Sequence, residues 1–243
     1  KVVAMELAIK VLALLPWTDW AGLAAFFLGW IGYAVFAKRR STMQPSLLDT
    51  TNHIRRQWML QSTYREVRVV DGIVIQNLST SPSFFASTTI LIIGGLLAVL
   101  GTTEKASELV REIPFAARTS VLVFDLKVVF LLGIFVYAFF RFTWSLRQYT
   151  FGALLVGALP ERDDISAMGD AGEAMRQSFA ERAGRVVGMA AETFNDGLRA
   201  YYFAFAAIGW FFSPLVFALA TAGVVYILYQ REFRSDVLGV LKG

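Results

Sequence analysis

The feature that most limits what this chain can fold into is a set of long stretches nearly free of charge. Roughly 20 consecutive apolar residues, at ~1.5 Å rise each, let an α-helix cross a bilayer. Residues 20–37 form the first such run. Trp17 and Trp20 open it, as in an aromatic interface belt, and Lys38, Arg39 and Arg40 close it. The second run, 84–101, follows Ser81-Pro82, and the third, 121–140, stops at Arg141. The fourth covers 200–229, contains Pro214 and is followed by Arg231. As one ideal helix it would measure ~45 Å against a ~30 Å hydrocarbon core. A single tilted helix kinked near Ser213-Pro214 is therefore expected there, in preference to a re-entrant pair.

Composition agrees with this reading. Hydrophobic residues make up 56% of the chain and charged ones 17%, where soluble domains carry about 25% charged residues; mean hydropathy is +0.54. The expected fold is an all-α integral membrane protein, with four transmembrane helices and helical cytosolic extensions, in a single membrane domain over 1–243. With no cysteine, disulfides, thiolate nucleophiles and iron–sulfur clusters are excluded. With His53 as the sole histidine, multi-histidine metal sites are excluded too. No cofactor is expected. The net charge of +4 flanks apolar spans, so it points to a membrane surface and membrane lipids, with no nucleic-acid partner. Glu6 and Lys10 interrupt the apolar stretch at 5–15, which makes it a poor signal peptide and makes Met5 the expected native start.

Basic residues set the expected orientation. Segment 38–83 holds Lys38, Arg39, Arg40, Arg55, Arg56, Arg65 and Arg68, and segment 141–199 holds Arg141, Arg147, Arg162, Arg176, Arg182, Arg185 and Arg199. The positive-inside rule places both in the cytoplasm of a bacterial inner membrane and both termini outside, with Arg231 and Arg234 pulling weakly the other way. Apolar residues recur at helical spacing in 54–74 and again in 165–194. Two amphipathic helices packing beneath the membrane are expected, with a partner-binding or lipid-surface pair as the alternative.

Asp125 and Lys127 lie inside the third run, where charges mark a pathway, an anchor or a bridge between helices. Ser87, Thr88 and Thr89 would line a pathway or bond within their own helix. With the orientation above, Arg39 and Arg40, the Ser87 to Thr89 group, 143–149 and 195–202 all reach the cytoplasmic membrane face. Arg147 and Arg199 could then point into the bundle and, with Asn195 and Tyr201 nearby, hold a phosphate or a lipid headgroup. No nucleophile elbow, P-loop, HExxH or paired-carboxylate arrangement is present, so no enzyme is expected.

Several strings resemble an uncharacterised family of bacterial and plant membrane proteins known as domain of unknown function 599. They are RRQWM at 55–59, FFASTTILIIGGLLA at 84–98, FVYAFFRFTWSLRQY at 135–149, FNDGLRAYYFAFAAIGWF at 194–211 and YQREFRSD at 229–236. The resemblance implies a four-helix inner-membrane protein and brings no activity, substrate or catalytic residue with it. Two functions fit the residues, the first of them the expectation and the second its alternative. One is a homo-oligomeric channel or transporter for a small solute, anions included, lined by Ser87, Thr88, Thr89 and Asp125 and packed through Ala21, Gly22, Ala25, Gly29 and Gly32. The other is a lipid-binding scaffold or accessory subunit that docks a protein partner on its cytosolic helices.

Overall fold

The computed structural model describes residues 15–41, 46–112 and 120–242, and every regular element in them is helical. In chain order these are α1 (Trp17–Ser41), α2 (Leu47–Ser62), α3 (Val69–Gly101), α4 (Thr103–Glu112), α5 (Val121–Gly157), α6 (Arg162–Ala167), α7 (Asp170–Ile208), a 3-10 turn (Gly209–Phe211), α8 (Pro214–Phe233) and α9 (Asp236–Lys242). Among the described residues, four segments are long and apolar enough to cross a membrane: Trp17–Arg40, Val69–Gly101, Val121–Gly157 and Pro214–Leu241. The expected start at Met5 lies outside the described residues.

The runs at 84–101 and 121–140 sit inside longer helices of 33 and 37 residues, about 50 Å or more in length. Ser81-Pro82 does not open the second span as expected; Pro82 is buried within α3. The 54–74 periodicity is also shared between two helices. α2 ends at Ser62, and α3 begins only at Val69. The residues between are held by side chains bonding backbone carbonyls: Arg68 donates to Ser62 O at 3.2 Å, Leu159 O at 2.9 Å and Pro160 O at 2.7 Å. In 165–194 a turn at Gly169, with φ +56°, separates α6 from α7. That left-handed conformation suits glycine, which has no Cβ to clash.

The run at 200–229 is not the single kinked helix expected. Its first part ends α7, the chain tightens through the 3-10 turn, and α8 starts afresh at Pro214. Proline fixes φ and lacks an N–H, so it can either kink a helix or occupy its first position. Here Ser213 Oγ accepts from Val216 N at 3.1 Å as an N-cap, with Pro214 next to it. The chain also reverses direction. Trp210 and Phe217 lie two turns apart, ~10 Å along a continuous helix, yet their rings stack at 5.5 Å. Phe203 and Phe217, ~21 Å apart along such a helix, both touch Phe26, at 5.4 and 5.1 Å.

The chain forms two compact units. Unit 1 comprises Lys1–Arg40, Leu91–Val136 and Arg199–Tyr229. Its interior is aromatic: Phe26, Phe203, Trp210 and Phe217 are buried and Phe130 packs edge-on against Phe26 at 5.2 Å. Gly22 and Gly29 admit α8 against α1, since a Cβ there would lie 3.2 Å from Phe217 Cδ1 and 2.8 Å from Thr221 Cγ2. These two glycines of the first span therefore pack within the chain. Gly32 faces open space.

Unit 2 comprises Ser41–Ile90, Tyr137–Leu198 and Gln230–Gly243. Met59, Ile75, Tyr149, Ile165, Phe179 and Val187 lie in its buried core. The fully buried carboxylate of Asp71, in the first turn of α3, accepts from Trp58 Nε1 at 2.7 Å and pairs with Arg65. α9 packs on α2. The C-terminal helix is thus in contact with the 38–83 segment.

Candidate functional site

Buried polar groups need partners inside the fold, so the buried polar side chains of unit 1 show what it must satisfy. Lys127, on α5, is 2% exposed. Its Nζ donates to Trp210 O at 2.8 Å and stands 5.3 Å from the centre of the Trp210 ring. Trp210 Nε1 donates in turn to the buried carboxylate of Asp19 at 2.5 Å. A carbonyl left over at a helix end attracts a cation. Lys127 and Asp19 therefore clasp the backbone and the side chain of one residue at the reversal. Asp125 accepts from Thr103 Oγ1 at 2.7 Å, so this expected pathway residue fastens the first residue of α4 to α5.

Two of the other expected lining groups, Thr88 and Thr89, bond inside their own helix. Thr88 Oγ1 donates to Phe84 O at 2.9 Å and Thr89 Oγ1 to Phe85 O at 2.5 Å. Thr89 is buried, Thr88 partly so, and Ser87 is exposed.

Between α1 and α8 unit 1 carries a groove of about 460 Å³, whose lining includes Gly32, Tyr33, Phe36, Val225, Tyr226 and Tyr229. The guanidinium of Arg40, in the last turn of α1, lies 5.6 Å from the ring centres of both Phe36 and Tyr229. Arg199 lies 5.9 Å from the ring of Tyr33. Two of the arginines expected to hold an anion thus rest on rings of one groove. The third does not point inward: Arg147 is exposed on α5, over Phe151 at 5.9 Å. Arg39 is exposed in the last turn of α1. Tyr201 packs edge-on against Phe135 at 5.2 Å, and Asn195 is half-buried on α7 in unit 2.

Unit 2 has its own concavity of about 490 Å³, lined by Asn52, Arg56, Glu181, Arg185, Met189 and Glu192 among others. Its charges close on one another, with Arg56 3.7 Å from Glu181 and Asn52 donating to Glu192 at 3.1 Å. α2 and α7 approach closely there because Gly184 and Gly188 present no side chain to Arg56 and Asn52. Beside it Arg55 donates to Thr51 Oγ1 at 3.0 Å and Asn52 Oδ1 at 2.8 Å. Burial lowers the Arg55 pKa against the opposing pull of Tyr149 and Glu192.

Sequence reasoning missed Asp19 and the groove tyrosines. Asp19 is nearly the whole chain away from its partner, and Tyr33, Tyr226 and Tyr229 pass for ordinary interface aromatics.

A family described as "Protein of unknown function, DUF599" matches residues 21–237. Neither a curated protein nor a solved structure matches the chain.

Proposed function

We propose a scaffold role for this chain, which belongs to the family of unknown function DUF599: it anchors in a bacterial inner membrane, binds lipid there and docks a protein on its cytoplasmic helices. The observation that carries this reading is an apolar patch on unit 2. Val67, Val69, Val70 and Ile73 are exposed around the start of α3, and clustered exposed apolar side chains mark interaction surfaces. The polar groups of unit 1 support it as well. Thr103 donates to Asp125, Lys127 to the Trp210 carbonyl and the Trp210 indole to Asp19, and aromatic rings fill the interior of that unit.

In this reading segments 38–83 and 141–199 face the cytoplasm, as the arginines favour. The end of α7 makes a fifth passage before α8 returns, which brings Arg231 and Arg234 to the cytoplasmic side. The test is a photo-crosslinking residue at Val70 in intact cells, with one at the exposed Leu91 as the comparison. One recurrent protein adduct at position 70 and lipid adducts at 91 support docking; lipid adducts at both refute it.

A homo-oligomeric channel is the second reading. Gly94, Gly95 and Gly133 favour it, because each faces open space and small residues admit a second helix closely. Reconstituted liposomes decide it: anion flux that falls in Arg147→Ala or Arg199→Ala supports the channel, and no flux supports the scaffold.

A further inference from the structure

We propose that the outer face of α9 is a membrane-surface contact: Val237, Val240 and Leu241 insert into the boundary between headgroups and acyl chains and hold α2 beside it. The proposal rests on the membrane reading of the four apolar segments and adds an interfacial contact to it.

α9 starts as a new helix rather than as the end of α8. Ser235 Oγ accepts from Leu238 N at 3.3 Å as an N-cap, two residues beyond Phe233, where α8 stops. α9 then turns one side to the protein: it packs on α2, and Leu238 is buried. A short helix docked in this way on a water-facing surface keeps polar residues on its other side. α9 does not. Val237, Val240 and Leu241, at i, i+3 and i+4, share a face, and all three are exposed, Val240 to 79%. Between Asp236 and Lys242 the helix carries no polar side chain.

Chain continuity identifies what covers that face. α8 is 20 residues long, about 30 Å, the thickness of a hydrocarbon core. The membrane-length apolar segment it belongs to runs on to Leu241. Val237 follows the last residue of α8 by four positions, a reach of at most about 14 Å. The charged residues Arg231, Glu232, Arg234 and Asp236 mark the water side of the boundary, so α9 does not continue the span into hydrocarbon. An apolar face tethered that close to the end of a span meets the interface plane. Surface helices bury their apolar side about 5–10 Å deep there. A soluble partner or a second copy would have to displace lipid that is already within reach.

The test exploits the absence of cysteine from the chain, which lets single cysteines be labelled without background. Val240→Cys, Leu91→Cys and Arg185→Cys place an environment-sensitive fluorophore on α9, on the exposed side of α3 and on the exposed side of α7. Each full chain is reconstituted into phosphatidylcholine nanodiscs, with brominated acyl chains as the lipid quencher and iodide as the aqueous one. The label at Val240→Cys should be quenched by brominated lipid, like that at Leu91→Cys. Its iodide quenching should fall several-fold below that at Arg185→Cys. Adding Val237→Asp, a change at an exposed site that leaves Leu238 in place, should raise iodide quenching and lower lipid quenching. An unchanged pattern in that variant would overturn the contact, as would iodide quenching at Val240→Cys equal to that at Arg185→Cys. Shielding from both quenchers, or a disulfide-linked dimer of unlabelled Val240→Cys, would give the face to protein and overturn it too. If Leu91→Cys also escapes brominated lipid, the membrane reading itself falls. If Leu91→Cys is quenched and Val240→Cys is not, only the α9 contact falls.

Discussion

The ammonium of Lys127 donates to the backbone carbonyl oxygen of Trp210 at 2.8 Å, both groups buried in unit 1. The carbonyl belongs to the turn where α7 ends, so no following helical N–H reaches it. Lys127→Met keeps the volume and removes the donor. It should destabilise the detergent-solubilised protein by about 1–3 kcal/mol, the cost of a buried acceptor left unsatisfied. Thermal unfolding followed by tryptophan fluorescence reads this directly, since Trp210 reports from the affected turn. An unchanged melting temperature would mean that the carbonyl finds another donor.

Glycine spacing in the long helices serves two ends that substitution separates. A Cβ at Gly197 would overlap the ring of the fully buried Phe142, whereas one at Gly133 would meet nothing within 4 Å. Gly197→Ala should therefore cost about 1–3 kcal/mol through overpacking. Gly133→Ala should stabilise the monomer by about 0.5–1 kcal/mol through the lower helical cost of alanine. Opposite shifts in melting temperature check the pair. If Gly133→Ala also dissociates an oligomer, that face is packed against a second copy.

Much of the fold is legible in hydropathy alone. The runs at 84–101 and 121–140 lie within α3 and α5, because a bilayer-length apolar segment has few alternatives to helix. The run at 200–229 was ambiguous for a physical reason: proline suits both a kink and a first helical position, and only the contact of Trp210 with Phe217 decides between them. Asp125 and Lys127 were visible as charges out of place. Their partners were not, because Thr103 and Trp210 are ordinary residues brought close by packing rather than by spacing. Arg40 and Arg199 were legible as cations near aromatics, but the groove that unites them depends on which face of α1 meets α8. That choice was made by Gly22 and Gly29.

The phenol of Tyr64 donates to Glu173 at 3.0 Å, and this hydrogen bond raises its pKa above the ordinary value, with a smaller contribution from desolvation. A phenol held neutral in the fold contributes stability that is complete below the unfolded value of about 10 and disappears as pH rises through the folded value. Difference absorbance between the wild type and Tyr64→Phe isolates this tyrosinate. Its midpoint should lie on the alkaline side of a free tyrosine and move back in Glu173→Gln. A midpoint unaffected by Glu173→Gln would place the cause elsewhere.

The reversal between α7 and α8 makes a prediction about sidedness. Were 200–229 one kinked helix, the C-terminus would lie across the membrane from Arg39 and Arg40. With the chain folded back at Gly209–Phe211, α9 packs on α2 instead. A C-terminal fluorescent protein should therefore fold and glow in the cytoplasm, and a C-terminal alkaline phosphatase should be inactive. The positive-inside rule favours the same outcome, because Arg231 and Arg234 then join the arginines of 38–83. Deleting the turn should reverse both reporters by restoring a single passage. An active phosphatase on the intact chain would contradict the cytoplasmic side proposed for α2 and α9, and a C-terminus on the opposite side from α2 would contradict the hairpin.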